Sequence, residues 1–173
     1  MKWYQQKPKE TKDFKELTET YNQKYGSYDY AQDSRSLDIT FEETLIQSVG
    51  DLSRLNVLVC GSNSGYEIGV LSKLFPSAKF TAVDISSEAL SRLAKTYSFA
   101  TCIHASMETF PFRDKEFDLY INCRAIHSTD TDMNKAVSEA IRVTKGKVVL
   151  SVSNGYRVDS RIVKGMYDYD TQK

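Results

Sequence analysis

Apolar residues along the chain fall first at helical and then at strand spacing. Phe14, Leu17, Tyr21 and Tyr25 recur at three- and four-residue steps, which puts them on one stripe of a helix that ends at Gly26-Ser27. A second helix is expected from Thr40. Thr40 and Glu43 fit a capping box, and Phe41, Leu45, Ile46 and Val49 form the buried face. From Asn56 the pattern changes. Val57 to Cys60 is a continuous apolar run ending at Gly61, as in a strand buried on both faces of a parallel sheet. Tyr66 to Leu74 reads as a helix stopped by Pro76, and Phe80 to Val83 as a strand closing on Asp84. Ser86 can cap a helix carrying Leu90, Leu93, Ala94 and Tyr97. Strands are expected at Thr101 to Ile103, Phe117 to Ile121 and Lys147 to Val152. A helix carrying Met133, Ala136, Val137, Ala140 and Ile141 precedes the last of them.

Strands alternating with helices predict an α/β fold. The expected architecture is a doubly wound, mostly parallel sheet of five strands joined by right-handed crossovers, preceded by a helical N-terminal extension. Without repeats or linkers the chain divides simply, into an extension over residues 1–50 and an α/β unit over 51–173. The 173 residues suit one globular unit, and 40% apolar content allows a sizeable core. Lysine plus arginine equals aspartate plus glutamate at 23 each, so charge demands neither nucleic acid nor a membrane surface as partner. No apolar run approaches the roughly 20 residues that span a bilayer. Met1-Lys2-Trp3-Tyr4 leads into charge without an apolar signal core, so a cytoplasmic location is expected. Cys60, Cys102 and Cys123 lack zinc-ligand spacing and are read as buried free thiols.

Open α/β sheets bind ligands beyond the carboxyl ends of their strands. The first such end is Gly61-Ser62-Asn63-Ser64-Gly65. Glycine there lets the backbone turn sharply and approach a ligand. No Gly-Lys-Ser/Thr follows, so this is not a P-loop. Asp84 comes 23 positions after Gly61, close to the roughly 20 at which an acidic residue meets a ribose in nucleotide-binding βαβ units. The alternative for Asp84 is a helix N-cap.

These segments resemble the class I S-adenosylmethionine-dependent methyltransferases over roughly Asn56 to Asn154. Val57 to Gly65 is similar to the family's first motif, and Ala82-Val83-Asp84-Ile85-Ser86 to its ribose motif. Ala105-Ser106-Met107-Glu108-Thr109-Phe110-Pro111-Phe112 resembles the segment lining the adenine. Phe117 to Asn122 resembles the fourth strand, and Arg142 to Leu150 the turn into the fifth. The resemblance implies S-adenosylmethionine as cofactor, held by Gly61, Ser62, Asn63, Gly65, Asp84, Ile85, Ser106, Met107 and Asn122. It implies no metal. The chain departs from the family at Val59, where an acidic residue usually stands, at Asn63 for the middle glycine, and at Ser106 for an adenine-contacting aspartate. A glycine and a proline are missing around Gly146. These departures bear on cofactor affinity more than on fold, and Tyr28, Tyr30 or Arg35 are candidates to replace the lost contact.

Methyl transfer asks the protein mainly for proximity and orientation. If the acceptor must lose a proton, His127 on the segment after the fourth strand is the candidate base. The alternative is a structural or surface histidine, and His104 is read as packing. Asn122-Cys123-Arg124-Ala125 lacks the Asn/Asp-Pro-Pro-aromatic sequence of amino-directed nucleic-acid enzymes. Cys123 lacks the preceding proline of cytosine-C5 enzymes. The expectation is therefore a small-molecule methyltransferase, the alternative a non-catalytic cofactor-binding or partner subunit. In the resembling family the segment before the first strand often closes over the cofactor. Tyr28 and Tyr30 are lid candidates here, while Tyr21 and Tyr25 are read as helix packing. The family's last two strands are absent from the pattern, which leaves the fifth strand as an apolar edge. Three outcomes are expected: a truncated chain, a second copy or different partner over the edge, or the C-terminal tail folded back on it.

Overall fold

The computed structural model describes residues 13–25, 39–126 and 130–151 of the chain. In these, helices α1 (Phe14–Tyr25) and α2 (Ile39–Val49) precede the alternating unit. That unit runs β1 (Asn56–Cys60), α3 (Tyr66–Leu74), β2 (Lys79–Asp84), α4 (Ser87–Thr96), β3 (Thr101–His104), β4 (Phe117–Cys123), α5 (Met133–Val143) and β5 (Thr144–Ser151). The five strands lie in the order β3-β2-β1-β4-β5, and every neighbouring pair is parallel. Strand order therefore reverses between β1 and β4, which is where a doubly wound sheet opens its ligand crevice.

Strand periodicity explains why the apolar runs are continuous. Val57, Val59, Leu119 and Ile121 enter one buried cluster with Leu45 and Val49 of α2, Ile68 and Leu71 of α3, and Leu90 and Leu93 of α4. The intervening Leu58, Cys60 and Tyr120 enter a second cluster with Ala140 and Val143 of α5. Successive side chains point to opposite faces, and both faces are covered, so no strand position needs to be polar. Burial also pushes the Cys60 thiol up to about 12, which keeps it protonated at neutral pH. Cys102 and Cys123 are free thiols as well, Cys102 only partly buried.

Most element boundaries fall within two residues of expectation. Helix α2 begins at Ile39 rather than Thr40. The larger difference is β5, which starts at Thr144 directly after α5 instead of at Lys147. Gly146 lies so close to β4 that a Cβ there would overlap the Asp118 carbonyl, and the β4–β5 register shifts between Phe117 and Leu119. Lys145 reaches Asp118 at 2.9 Å across the same irregularity. Strand β5 ends the described sheet, and Leu150 on it is exposed. Val152 and the tail expected to bear on that edge lie outside the described residues. Among the described residues no helix is long and apolar enough to cross a membrane.

Between β3 and β4 an irregular segment replaces a helix, and Arg142 of α5 holds it down. Its Nε and Nη2 donate to Glu139 at 2.7 and 2.8 Å, and its Nη1 donates to Asp114 and to the Phe112 carbonyl, each at 2.8 Å. Glu139 also accepts the Phe110 N–H at 2.7 Å. The Arg142 hydrogen bonds hold the Glu139 carboxyl below the usual carboxylate range. Asp118 is lowered likewise, first by the Asn56 N–H and then by Lys145. A depressed folded-state value gives stability that is complete above about pH 4.3, the ordinary value for Glu, and is lost as pH falls below it. Urea unfolding at neutral and acid pH should show this loss. Glu139→Gln should lower stability at neutral pH by about 1 kcal/mol and flatten the acid decline. An unchanged decline would mean that the clamp contributes nothing.

Candidate functional site

Strand β1 ends at Cys60, and the chain turns through Gly61 to Gly65 into α3. Gly61 and Gly65 take positive φ of 66° and 91°, and Asn63 takes 44°. Asparagine is one of the few side chains that tolerate this left-handed region, so Asn63 sustains the turn. The turn is tied down internally. The Gly61 and Ser62 N–H groups donate to the Val83 carbonyl at 2.8 and 3.1 Å, and Gly65 N–H donates to the Ser62 carbonyl at 2.8 Å. Ser64 N–H donates to the Asn63 side chain at 2.7 Å. At the strand-order reversal the loop after β4 closes onto the turn: a Cβ on Gly61 would overlap that of Ala125.

Asp84 stands at the end of β2, beside this turn. Its Oδ2 accepts the Asn63 N–H at 2.8 Å and its Oδ1 the Ser86 N–H at 2.9 Å. The helix cap is Ser86, whose hydroxyl accepts from Ala89 N–H, so Asp84 is free of the capping role that the sequence also allowed. Asp84 is 8% exposed. Burial pushes its carboxyl above the ordinary value, while hydrogen bonds from the Ser86, Asn63 and Ile85 amides and the nearby His104 pull it back. A carboxylate offers roughly four acceptor directions, so capacity for hydroxyl donors remains.

The adjacent strand end supplies apolar walls. Ile85 after β2 and Met107 after β3 are both half-buried, and β2 and β3 are paired up to Asp84 and His104. Ser106, also half-buried, accepts the Glu108 N–H on its hydroxyl and keeps its proton to donate. Two of the expected cofactor contacts face inward instead. Ser62 is buried with its hydroxyl on the Val83 carbonyl. Asn122 is fully buried: its Oδ1 accepts the Ala125 and Ile126 N–H groups at 3.2 and 2.9 Å, and its Nδ2 donates to the Tyr120 hydroxyl. Asn122 thus shapes the loop that meets Gly61. His127, Tyr28, Tyr30 and Arg35 lie outside the described residues.

The structure also brings forward residues that the apolar pattern passed over. His104, expected as packing within β3, is exposed at the end of that strand. Its Nε2 lies 2.9 Å from the Ile85 carbonyl and 3.1 Å from the Thr18 hydroxyl, and its ring packs at a tilt against Phe14, centroids 4.8 Å apart. Asn22 of α1 binds the loop after Asp84. Glu67, only 4% exposed, places a carboxyl in the first turn of α3. Helical spacing alone did not distinguish Asn22 and Glu67 from solvated polar positions. Away from these residues, a groove of about 750 Å³ opens at the amino ends of the strands near Asn56, Lys79 and Thr101. In parallel sheets the ligand crevice lies at the opposite end.

The family model described as "Methyltransferase domain" matches residues 58–152, more than half of the chain, and the chain belongs to that family. No curated protein sequence matches. Among solved structures, the chain is similar to a SAM-dependent methyltransferase from Aquifex aeolicus, at 17% identity and a TM-score of 0.60 over 80% of this chain and 71% of that one. It is also similar to geranyl diphosphate C-methyltransferase from Streptomyces coelicolor, solved with S-adenosyl-L-homocysteine (14% identity, TM-score 0.67, 90% and 71% covered). A third similar structure is the cyclase SpnF (14% identity, TM-score 0.57), of which the chain covers 68% of its own length but only 45% of the other's. At such identities the likeness establishes the Rossmann-like methyltransferase fold.

Proposed function

We propose that this chain binds S-adenosylmethionine and transfers its methyl group to a small molecule. The observation that carries the reading is the buried Asp84 carboxylate, held by two backbone N–H groups at a strand end beside the glycine turn. The residues fit such a cofactor. Asp84 has acceptor capacity for ribose hydroxyls, Ile85 and Met107 offer apolar surface to a flat base, and Ser106 offers a hydroxyl. Gly61, Asn63 and Gly65 form the rigid turn at which the methionine end would sit. When bound, the cofactor supplies an electrophilic methyl on a sulfonium, so the protein's task is alignment and exclusion of water. His127 is proposed as base for an acceptor that must lose a proton. The absence of nucleic-acid target motifs after β4 favours a small acceptor.

One observation favours a second reading. Val59, buried in β1, stands where the resemblance calls for an acidic residue that helps hold the methionine end of the cofactor. A non-catalytic binding subunit is that alternative. Incubating the chain with methyl-labelled S-adenosylmethionine and a metabolite pool separates the two. The proposal expects label in a small acceptor, with His127→Ala lowering turnover while leaving S-adenosylhomocysteine affinity within about twofold. Cofactor binding without labelled product from any pool would favour the subunit reading.

A further inference from the structure

Helix α1 is attached to the alternating unit differently from α2. None of its described side chains belongs to either apolar cluster, and Phe14 is 43% exposed. Its contacts gather on α4 and the end of β3. At the strand end that carries Asp84 they combine hydrogen bonds from Thr18 and Asn22 with the Phe14–His104 ring contact.

Asn22 is at the centre. Its Oδ1 accepts the Ser86 hydroxyl at 2.8 Å and lies 3.4 Å from the Glu88 N–H, and its Nδ2 donates to the Ser87 hydroxyl at 3.2 Å. Ser86 works in three directions at once. Its hydroxyl donates to Asn22, its oxygen accepts the Ala89 N–H, and its own N–H donates to Asp84 Oδ1. The other oxygen of Asp84 takes the Asn63 N–H of the glycine turn. A run of three hydrogen bonds therefore joins α1, through Ser86 and Asp84, to the turn after β1. A second tie runs beside it. Thr18 donates its hydroxyl proton to the Phe14 carbonyl, so toward His104 its oxygen accepts, as does the Ile85 carbonyl. Two acceptors assign the proton to His104 Nε2.

We propose that Asn22 is a positioning residue for the cofactor site, one that sets the Ser86 loop and hence the Asp84 carboxylate. The inference rests on Asp84 being the cofactor carboxylate, as proposed above. Docking of α1 and engagement of Asp84 are then linked, and linkage is reciprocal. A docked α1 raises affinity for the nucleoside end of the cofactor, and bound cofactor tightens α1. The apolar stripe predicted for α1 did not contain this residue, because Asn22 lies one turn from Thr18 on the face that makes the hydrogen bonds.

Hydrogen exchange on the full chain without cofactor tests the coupling first. Asn22→Ala should speed exchange in residues 13–25 and also in 61–65 and 84–89, while 117–151 keep the wild-type rate. Calorimetry with S-adenosylhomocysteine should then show Asn22→Ala binding about three- to tenfold more weakly, the effect of one hydrogen bond. Asn22→Asp keeps the accepting oxygen at the start of α4 and should recover most of that loss, whereas a residue needed only for packing would not be rescued this way. Faster exchange confined to residues 13–25, unchanged affinity in Asn22→Ala, or an aspartate variant as weak as the alanine one would each overturn the inference. Failure of the underlying function looks different: the wild-type chain itself would not bind S-adenosylhomocysteine.

Discussion

Asp84→Ala is expected to weaken S-adenosylhomocysteine binding by at least about a hundredfold, the largest effect of any single substitution in the proposed site. Each hydrogen bond from a ribose hydroxyl to a charged acceptor is worth roughly 1.5–3 kcal/mol, and two such bonds exceed the ~2.7 kcal/mol that a hundredfold requires. The alanine also leaves the Asn63 and Ser86 N–H groups without their acceptor, which loosens the turn and the start of α4 together. Asp84→Asn, with one carbonyl oxygen left and no charge, should fall between wild type and alanine. The pH dependence has a definite sign. Burial raises the Asp84 value in the cofactor-free protein, so the charged acceptor is lost on acidification earlier than for an ordinary carboxylate. Affinity should fall as pH drops through that raised value. Calorimetry across pH checks both statements, and an alanine variant within threefold of wild type would remove Asp84 from the site.

Gly61→Ala should destabilise the protein by about 2–5 kcal/mol. Two independent terms add. At φ 66° a side chain enters the left-handed region at roughly 1–2 kcal/mol, and forcing a methyl into a packed contact costs about 1–3 kcal/mol more. The added Cβ would overlap that of Ala125, which cannot retreat freely because Asn122 holds the Ala125 and Ile126 N–H groups. Gly50 provides the control. It has a similar φ of 74°, but a Cβ there meets nothing within 4 Å. Gly50→Ala should therefore lose only the backbone term, about 1–2 kcal/mol. Urea denaturation of the two variants, with equal m-values, separates packing from backbone strain. Equal midpoints would mean that the contact between the turn and the loop after β4 does not matter.

How far the sequence reached follows from what each signal measures. Runs such as Val57 to Cys60 are apolar because parallel strands are covered on both faces, and this made β1, β2 and β4 legible. Gly61 and Asp84 were legible together because spacing within a βαβ unit is a geometric constraint. The early start of β5 was not. It depends on a close approach of Gly146 to Asp118 across two strands, which leaves no local periodicity. Asn122 reads from its position as a cofactor contact, but burial and two backbone donors give its side chain a structural task. Asn22 and His104 looked ordinary because their partners, Ser86, Ser87 and the Ile85 carbonyl, lie far along the chain. Side-chain hydrogen bonds of long sequence separation carry no pattern that composition or spacing records.

S-adenosylmethionine or its product is proposed to bind beside Gly61 and Asp84. Titration calorimetry of the full chain with S-adenosylhomocysteine tests it most directly. Saturable one-to-one binding is expected, with a dissociation constant in the broad range of roughly 1 μM to 1 mM typical of enzyme ligands, and its loss in Asp84→Ala. A folded wild-type chain that gives no binding heat and no thermal shift with millimolar ligand would contradict it.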